Sequence, residues 1–435
     1  MNTDGNNPEN INTPQKVIYP PVTPVPIGKT LHEESIIKPW KQDDSPPVSV
    51  GNDKSTTNSP LVRISPRHGR ATSESRSHLT IWGDIYGIHF GAVNYKGNNF
   101  ENVHIAKDST LGWRVNGLVT QNVLYRINHV SDFMRRNGLP TEVVNAAYRI
   151  DEIRENSSQL PMSVSEWKNW ILTNWESDKG YVEVKKFVDT ITNFFILERH
   201  LPMDVRVADL LEAKTEKNFL RLVDQPMKWF NQVLNLRTGE YRPWNPGQRL
   251  DLRDPDIREF YFSNWLPSQM GEYLGKMHNL GVASNYPHTQ NWCMNGVLVD
   301  LDSFDGPGLG NEFNVQNKEE FSKNAENDVD TTIYVIMEMF LKVNPKLDRG
   351  IVAFEPDAQC FLRNDLCKKG LDVPIEAISN FLGCYIRTRL QGRDISKEEI
   401  KKYLTILSPI EIGETETPNF IDRCVDKIKD ITSYH

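Results

Sequence analysis

Asn295-Gly296 sits between two apolar runs in the segment Asn291 to Asp302, NWCMNGVLVDLD, and it constrains the local fold more than any other dipeptide in the chain. A two-residue type I′ turn needs positive φ at both central residues, which Asn and Gly accept, so the segment reads as a β-hairpin. That turn sets a register: Met294 faces Val297, Cys293 faces Leu298, Trp292 faces Val299 and Asn291 faces Asp300. Opposed residues share a face of the sheet with Cβ atoms roughly 5 Å apart. An amide oxygen and a carboxylate then meet at the open end of the hairpin. They form a half-shell for Mg²⁺, which takes one or two protein oxygens and completes its octahedron with water and phosphate. The same two residues also suit a surface hairpin that binds nothing.

The hairpin belongs to a chain of 435 residues and 50.0 kDa, long enough for two lobes with a sizeable core. The first 78 residues hold 11 of the 26 prolines, no Phe, one Tyr and one Trp. Too little apolar area is available there to offset chain entropy, so 1–78 reads as a disordered, Pro-rich tail. The tail carries 9 Lys/Arg against 8 Asp/Glu, which leaves the body near −9 in a chain of net charge −8. Such a body does not suit the coating of nucleic acid or acidic membrane. Arg63, Arg67, His68 and Arg70 form a small basic cluster, read as a solvated linker, and the tail's partner is unspecified.

Five scattered cysteines, Cys293, Cys360, Cys367, Cys384 and Cys424, make neither a CxxC pair nor a disulfide framework. A reducing compartment follows. The start, MNTDGNNPEN, lacks the charged and apolar regions of a secretory signal. No stretch reaches the roughly 18 uninterrupted apolar residues of a membrane span, and the nearest, TTIYVIMEMFLKV, is broken by Glu338. The expected location is cytoplasmic.

Strand patterns give way to helices along the body. LTIWGDIYGIHFG and NVHIAK, within 79–107, read as short strands, with Val103, Ile105 and Lys107 on one face, so that Lys107 points toward a core or cleft. A helix follows over Leu118 to Arg136, with Val123, Ile127, Val130 and Met134 as its apolar stripe. SVSEWKNWILTNW and VEVKKFVDTITNFFILERH read as two more helices. Pro267 opens another, with Met270, Tyr273, Leu274 and Met277 at i, i+3, i+4 and i+7 and Gly281 as its cap. Beyond the hairpin the pattern stays helical.

A small β-rich lobe with one helix (79–145), then a helical lobe (146–435) carrying the polar hairpin 291–302, is the α+β plan of a protein kinase-like two-lobed fold. There a Lys on the third strand handles phosphates, an Asn ends the catalytic loop and an Asp opens the metal-binding motif. Lys107, Asn291 and Asp300 stand in that order, although the chain has no GxGxxG loop and no HRD. Asn291 and Asp300 are nine residues apart, shorter than ordinary kinases by roughly four.

SNYPHTQN followed by VDLDSFDG with this nine-residue gap resembles the selenoprotein O family, whose loop reads HGVxNTDN before an IDYG-type Asp. IHFG at 88–91 is similar to its HQFG, HIAKD at 104–108 to its QLKG, and GLPTE at 138–142 to its GIPTT. VDTITNFFILERHLP at 188–202 is similar to the family's helix ending in ERHYP, and the likeness spans 80–310. The resemblance implies transfer of AMP from ATP to protein hydroxyls with Mg²⁺ or Mn²⁺. It puts Lys107, Arg149 and Arg154 on phosphate, and Asn291 and Asp300 on metal. Arginine suits that task because its planar donors grip phosphate oxygens in pairs, but Asp151, Glu152 and Glu155 make a solvated helix face an equal reading.

Two departures point the other way. The family's acid before the Asn is Gln290 here, and an amide takes no proton at neutral pH. The Glu expected to pair with the Lys falls near Ile127 or Asn128, with Asp132 the nearest acid. Asp302, on the same face as Asp300, is then a second metal ligand or a substitute base. His288 is a candidate base or phosphate contact, against the alternative of a loop-bonding His. The leading expectation is an ATP- and metal-dependent transferase acting on protein, by AMP or else phosphate transfer. The alternatives are a pseudokinase scaffold and, from the likeness of HTQN to siderophore synthetases, an adenylate-forming amide ligase.

Overall fold

The structure is a computed structural model that describes residues 22–24, 77–85, 89–96, 104–108, 112–116, 118–150, 152–153, 162–175, 180–201, 203, 205–233, 249–310, 317–340, 359–366, 368, 370–391, 393–405 and 417–433. It is mixed helix and sheet, mostly helical with few strands. The strands of the first half are β1 (Val22–Pro24), β2 (Ser77–Ile85), β3 (His89–Lys96), β4 (His104–Asp108), β5 (Gly112–Asn116) and β6 (Val119–Thr120). Helix α1 (Gln121–Arg136) follows, then β7 (Val143–Ile150), β8 (Glu152–Ile153) and β9 (Met162–Ser163). Next come α2 (Val164–Thr173), α3 (Tyr181–Thr190) and β10 (Phe194–Leu201). The remainder is helical: α4 (Val207–Glu212), α5 (Glu216–Val233), α6 (Pro255–Phe260), α7 (Leu266–Asn279), α8 (Lys318–Phe340), α9 (Phe361–Leu366), α10 (Asp372–Leu390), α11 (Lys397–Tyr403) and α12 (Thr417–Ser433).

One sheet runs in the order β1-β7-β10-β3-β2, with β6 added on β10. Its edge strand β1 comes from within the segment expected to be an unstructured tail, and Val22 pairs with Ile150. The basic cluster at 63–70 lies outside the described residues. The chain divides into two compact units, the first comprising Met1–Ile81, Val93–Leu124 and Val144–Arg199. Its core gathers Ile105, Val115, Leu118, Trp167, Ile171, Val184, Val188 and Phe194. Trp167 meets Phe194 edge-on at 5.1 Å. Helix α2 begins with a complete capping box, Ser163 with Glu166, which satisfies two of its free N–H groups.

Two expectations are corrected here. The buried stripe of α1 is Leu124, Ile127, Val130, Ser131 and Met134, with Val123 only half-buried; the helix runs from Gln121, three residues later than the pattern suggests. The stretch FFILERHL is strand β10 and not the end of a helix. Its continuous apolar run suits a strand buried on both faces, which periodicity does not separate from a buried helix.

The second unit comprises Trp82–Ala92, Tyr125–Val143 and His200–His435. Helix α7 carries the expected apolar stripe, buried throughout, and ends at Gly281 with φ 74°. Gly271 and Gly275 let α10 approach closely: a Cβ on Gly271 would stand 2.1 Å from the Phe381 carbonyl oxygen, and one on Gly275 2.8 Å from Thr388 Cβ. Between α6 and α7 the backbone makes a π-helical turn, Tyr261–Trp265, whose Tyr261 hydroxyl donates to the Met294 carbonyl. Arg258 on α6 is buried, donating to Asp365 at 2.7 Å and 2.9 Å and to the Leu252 carbonyl at 2.8 Å, with its guanidinium 5.2 Å from the Phe361 ring. Cys293, Cys360, Cys384 and Cys424 are buried thiols in no disulfide, and Cys367 lies outside the described residues. No helix among the described residues is long and apolar enough to cross a membrane.

Gly271→Ala drives a methyl group into backbone that no rotamer change can move. The substitution is expected to cost about 1–3 kcal/mol or more, measured as a shift of the urea midpoint at unchanged slope. An unshifted midpoint would mean that the two helices can separate freely.

Candidate functional site

The hairpin is present, but in a different register. Gly296 N–H donates to the Cys293 carbonyl at 2.9 Å, Cys293 N–H to Val297 at 2.9 Å, and Trp292 pairs with Leu298. The loop is therefore three residues, Met294-Asn295-Gly296, and Gly296 alone has positive φ, at 73°. This is a type I turn followed by a left-handed glycine, the usual three-residue hairpin. Every residue from Asn291 to Val299 is buried, so no polar face was available to select one register over its neighbour. Asn291 consequently stands opposite Val299, whose N–H donates to the Asn291 carbonyl at 3.1 Å, and not opposite Asp300.

Asp300 nevertheless has a distinctive backbone, φ 73° and ψ 60°, a left-handed conformation that costs a non-glycine residue energy unless its surroundings hold it. Glu142, fully buried, accepts the Asp300 N–H at 3.0 Å, and Thr141 Oγ1 donates to the Leu298 carbonyl at 3.2 Å. Past Asp300 the chain is held by α1. Arg126 donates to the Phe304 carbonyl at 2.6 Å and 3.0 Å and pairs with Asp305 at 3.3 Å. His129 Nε2 lies 2.9 Å from the Leu309 carbonyl oxygen. Asp305 also accepts Gly306 N–H at 2.7 Å. Asp302 is buried in the short turn Leu301–Ser303.

The preceding loop is equally tied down. Asn291 is buried and donates to the Tyr286 carbonyl at 2.8 Å, and Arg206 donates to the Gln290 carbonyl at 2.5 Å. His288 Nδ1 accepts Gln290 N–H at 3.2 Å, which makes this ring nitrogen a loop acceptor. At the start of the loop Asp328 on α8 accepts Ser284 N–H at 2.6 Å, with His278 Nε2 3.2 Å away. His278 Nδ1 lies 3.0 Å from the Tyr385 hydroxyl. A carboxylate only accepts, so the proton sits on Nε2 and Nδ1 accepts from tyrosine.

Lys107 is not directed into a core. It lies on the separate β4–β5 hairpin opposite Trp113, its side chain 58% exposed and paired with Glu183 at 2.9 Å, 5.2 Å from the Trp113 ring. Alternation does put it on the face of Ile105, but the long side chain reaches past that face to solvent. Among the described residues Lys96, at the end of β3, has a buried side chain, 1% exposed. Arg149, half-buried, is in β7, and Arg154 lies outside the described residues.

Sequence reasoning missed Glu142, Arg126, Asp328 and Lys96. Asp328 had a signal, since it shares the α8 stripe with Ala325, Thr332 and Ile336 and so is an acid in apolar phase. Among the described residues no group of three or more His, Cys, Asp or Glu is arranged to hold a metal. A site of the Asn291 and Asp300 type needs fewer protein ligands, as Mg²⁺ keeps water and phosphate in its shell. No protein-family model matches the chain, and no curated protein matches it.

Burial pushes the His278 imidazole below the ordinary histidine range, against the opposing pull of Asp328. The unfolded chain binds a proton here as pH falls through about 6.5, while the folded chain binds it only at lower pH, so stability drops as pH falls through that window. Urea unfolding from pH 8 to pH 5 is expected to show this decline in the wild type and a shallower one in His278→Gln. Equal slopes in the two proteins would assign the decline to other groups.

Proposed function

We propose that the chain is an ATP- and divalent-metal-dependent transferase of kinase-like, two-lobed plan that modifies hydroxyl groups on a protein. The observation that carries this reading is the left-handed backbone of Asp300, an acidic residue in a costly conformation directly after a buried hairpin. Such conformations persist where the surroundings over-determine them, which is common at ligand-binding positions. Asn291 and Asp300 would be the protein ligands for Mg²⁺ or Mn²⁺, each from its own position and not as a facing pair, and the ion would neutralise and orient the phosphates.

For the phosphate-contacting lysine the reading keeps Lys107, as the resemblance implies. Its ion pair with Glu183 is exposed and weak, so it does not hold the lysine against a phosphate. Arg149 and Arg154 remain candidates for further phosphate contact. The nine-residue separation of Asn291 and Asp300, shared with the selenoprotein O family, favours AMP over phosphate as the transferred group. The acceptor oxygen then bonds to the α-phosphorus, the bridging bond to the β-phosphate breaks, and pyrophosphate leaves. Asp302 takes the hydroxyl proton, since Gln290 has no basic oxygen at neutral pH. Gln290 is also the observation that favours the second reading, a nucleotide-binding scaffold without transfer.

ATP labelled separately at the α- and γ-phosphates separates these readings. Label from the α position is expected in a protein acceptor, with none from the γ position. Asp300→Ala should lower incorporation more than about 100-fold, the scale of removing a group that stabilises charge in the transition state. Lys107→Met should do the same, since it removes the phosphate contact. Transfer of γ-label alone would replace AMP by phosphate, and binding without either transfer would leave the scaffold.

A further inference from the structure

We propose that α12 controls the tip of the hairpin: its docking on α10 sets the π-helical turn Tyr261–Trp265 through Glu376 and Asn380, and that turn in turn positions Met294. The origin lies in the sequence. On an α-helical path the carbonyl of Ser263 would accept the N–H of residue 267, but that residue is Pro267, which has none and whose ring crowds the carbonyl four residues back. The backbone widens there into the π turn. Asn380 on α10 supplies the donor that proline lacks, its Nδ2 donating to the Ser263 carbonyl at 3.1 Å. The second hydrogen of the same nitrogen goes to Glu376 Oε1 at 3.0 Å, and Glu376 Oε2 pairs with Lys427 on α12. Burial pushes the Glu376 carboxyl up, yet its bonds from Lys427, Asn380 and Asn264, a residue of the turn itself, leave it below the ordinary carboxylate value.

The other end of this chain of bonds is the hairpin. Tyr261 opens the turn, is fully buried, and donates its hydroxyl to the Met294 carbonyl. On the far side of the turn Gly296 lies so close to α7 that a Cβ there would stand 2.6 Å from Gln269 Cβ. The tip thus spans the turn and moves with it. Its own side chain gives no hold, since the Asn295 amide is 7% exposed and neither its oxygen nor its nitrogen has a hydrogen-bond partner among the described residues. Helix α12 is held partly by charge. Arg423 and Lys427 face Asp372 and Glu376 on α10, while Asp422 and Asp426 face Lys401 and Lys397 on α11. Beneath these rows Phe420, Cys424, Val425 and Ile428 are buried, and a Cβ on Gly383 would stand 2.6 Å from Ile431 Cγ2. Exposed pairs are weak and screened by salt, so a helix that depends on them opens more readily than one held by core contacts alone. Release of α12 takes Lys427 from Glu376, frees that carboxylate to turn toward water, and removes the acceptor that orients Asn380. The Ser263 carbonyl then loses its donor and the π turn its support. Asn291 begins the hairpin and Asp300 follows it, so α12 acts on that stretch through the turn.

Hydrogen exchange of the full chain, read by mass spectrometry, tests the coupling without any ligand, with circular dichroism as the check on folding. Lys427→Glu is expected to speed exchange about 10-fold both in α12 and in the hairpin peptide 291–299, the effect of losing one charge-assisted hydrogen bond from the closed state. Asn380→Leu should speed exchange of the hairpin to the same degree and leave α12 protected. In the double variant the hairpin should exchange no faster than in Asn380→Leu alone, because residues in one hydrogen-bonded route do not act additively. If Asn380→Leu does not fold, Asn380→Ser replaces it: the side chain is too short to reach both acceptors, and the same result is expected. Wild-type exchange of the hairpin in the folded Lys427→Glu protein overturns the proposal, whether or not α12 has loosened. Additive effects in the double variant overturn it as well, since α12 would then reach the hairpin by a path that avoids Asn380.

Discussion

A fully buried carboxylate has to be met by donors, because its lost hydration costs several kcal/mol that only well-placed partners return. Asp328 imposes that demand at the centre of the second unit. Its partners come from three places: Ser284 N–H at the start of the loop, His278 on α7, and through His278 the Tyr385 hydroxyl on α10. The loop from Ser284 to Asn291 therefore starts from a fixed point. Everything downstream inherits that position: the Arg206 bond to Gln290, the Asn291 bond to Tyr286, the hairpin and finally Asp300. The glycines at 271 and 275 serve the same end, since only their lack of side chains brings α10, and with it Tyr385, close enough to α7.

Two buried acids thus divide the labour. Asp328 sets where the loop begins, and Glu142 holds the peptide that enters Asp300. Asp328 accepts the Ser284 N–H and Glu142 the Asp300 N–H, so each is bonded to the backbone of a loop. Buried charge used in this way specifies one conformation among several of similar packing energy, a role better attested for polar groups than net stabilisation.

Much of the fold was legible from pattern. Helix α7 was readable because its stripe keeps a period of 3.6 and Pro267 and Gly281 mark its ends. The existence of the hairpin followed from Asn295-Gly296, and Asp300 stood out by its place after it. Register was not legible, because a run buried on both faces carries no alternation to count. Strand β10 was lost for the same reason, its Phe194-Phe195-Ile196-Leu197 run fitting helix and strand alike. Lys107 was read as turned toward a core or cleft because alternation reports which face a residue leaves and not how far its side chain travels. Glu142 gave no signal at all: a single Glu after Gly138-Leu139-Pro140-Thr141 looks like any surface turn, and its burial follows from contacts far away in the chain.

The π-helical turn at Tyr261–Trp265 has a consequence for insertions and deletions. Such a turn carries one residue more than an α-helical path would use. Removing one residue there would not break the helix; it would let α6 and α7 fuse into a continuous one. The fused helix would turn α6 about its axis by about 100° relative to α7, swinging Arg258 away from Asp365 and Phe361. Length, and not composition, is thus the quantity conserved by necessity across this junction, and a variant one residue shorter would exchange the buried face of α6 for a different one while keeping all its backbone hydrogen bonds.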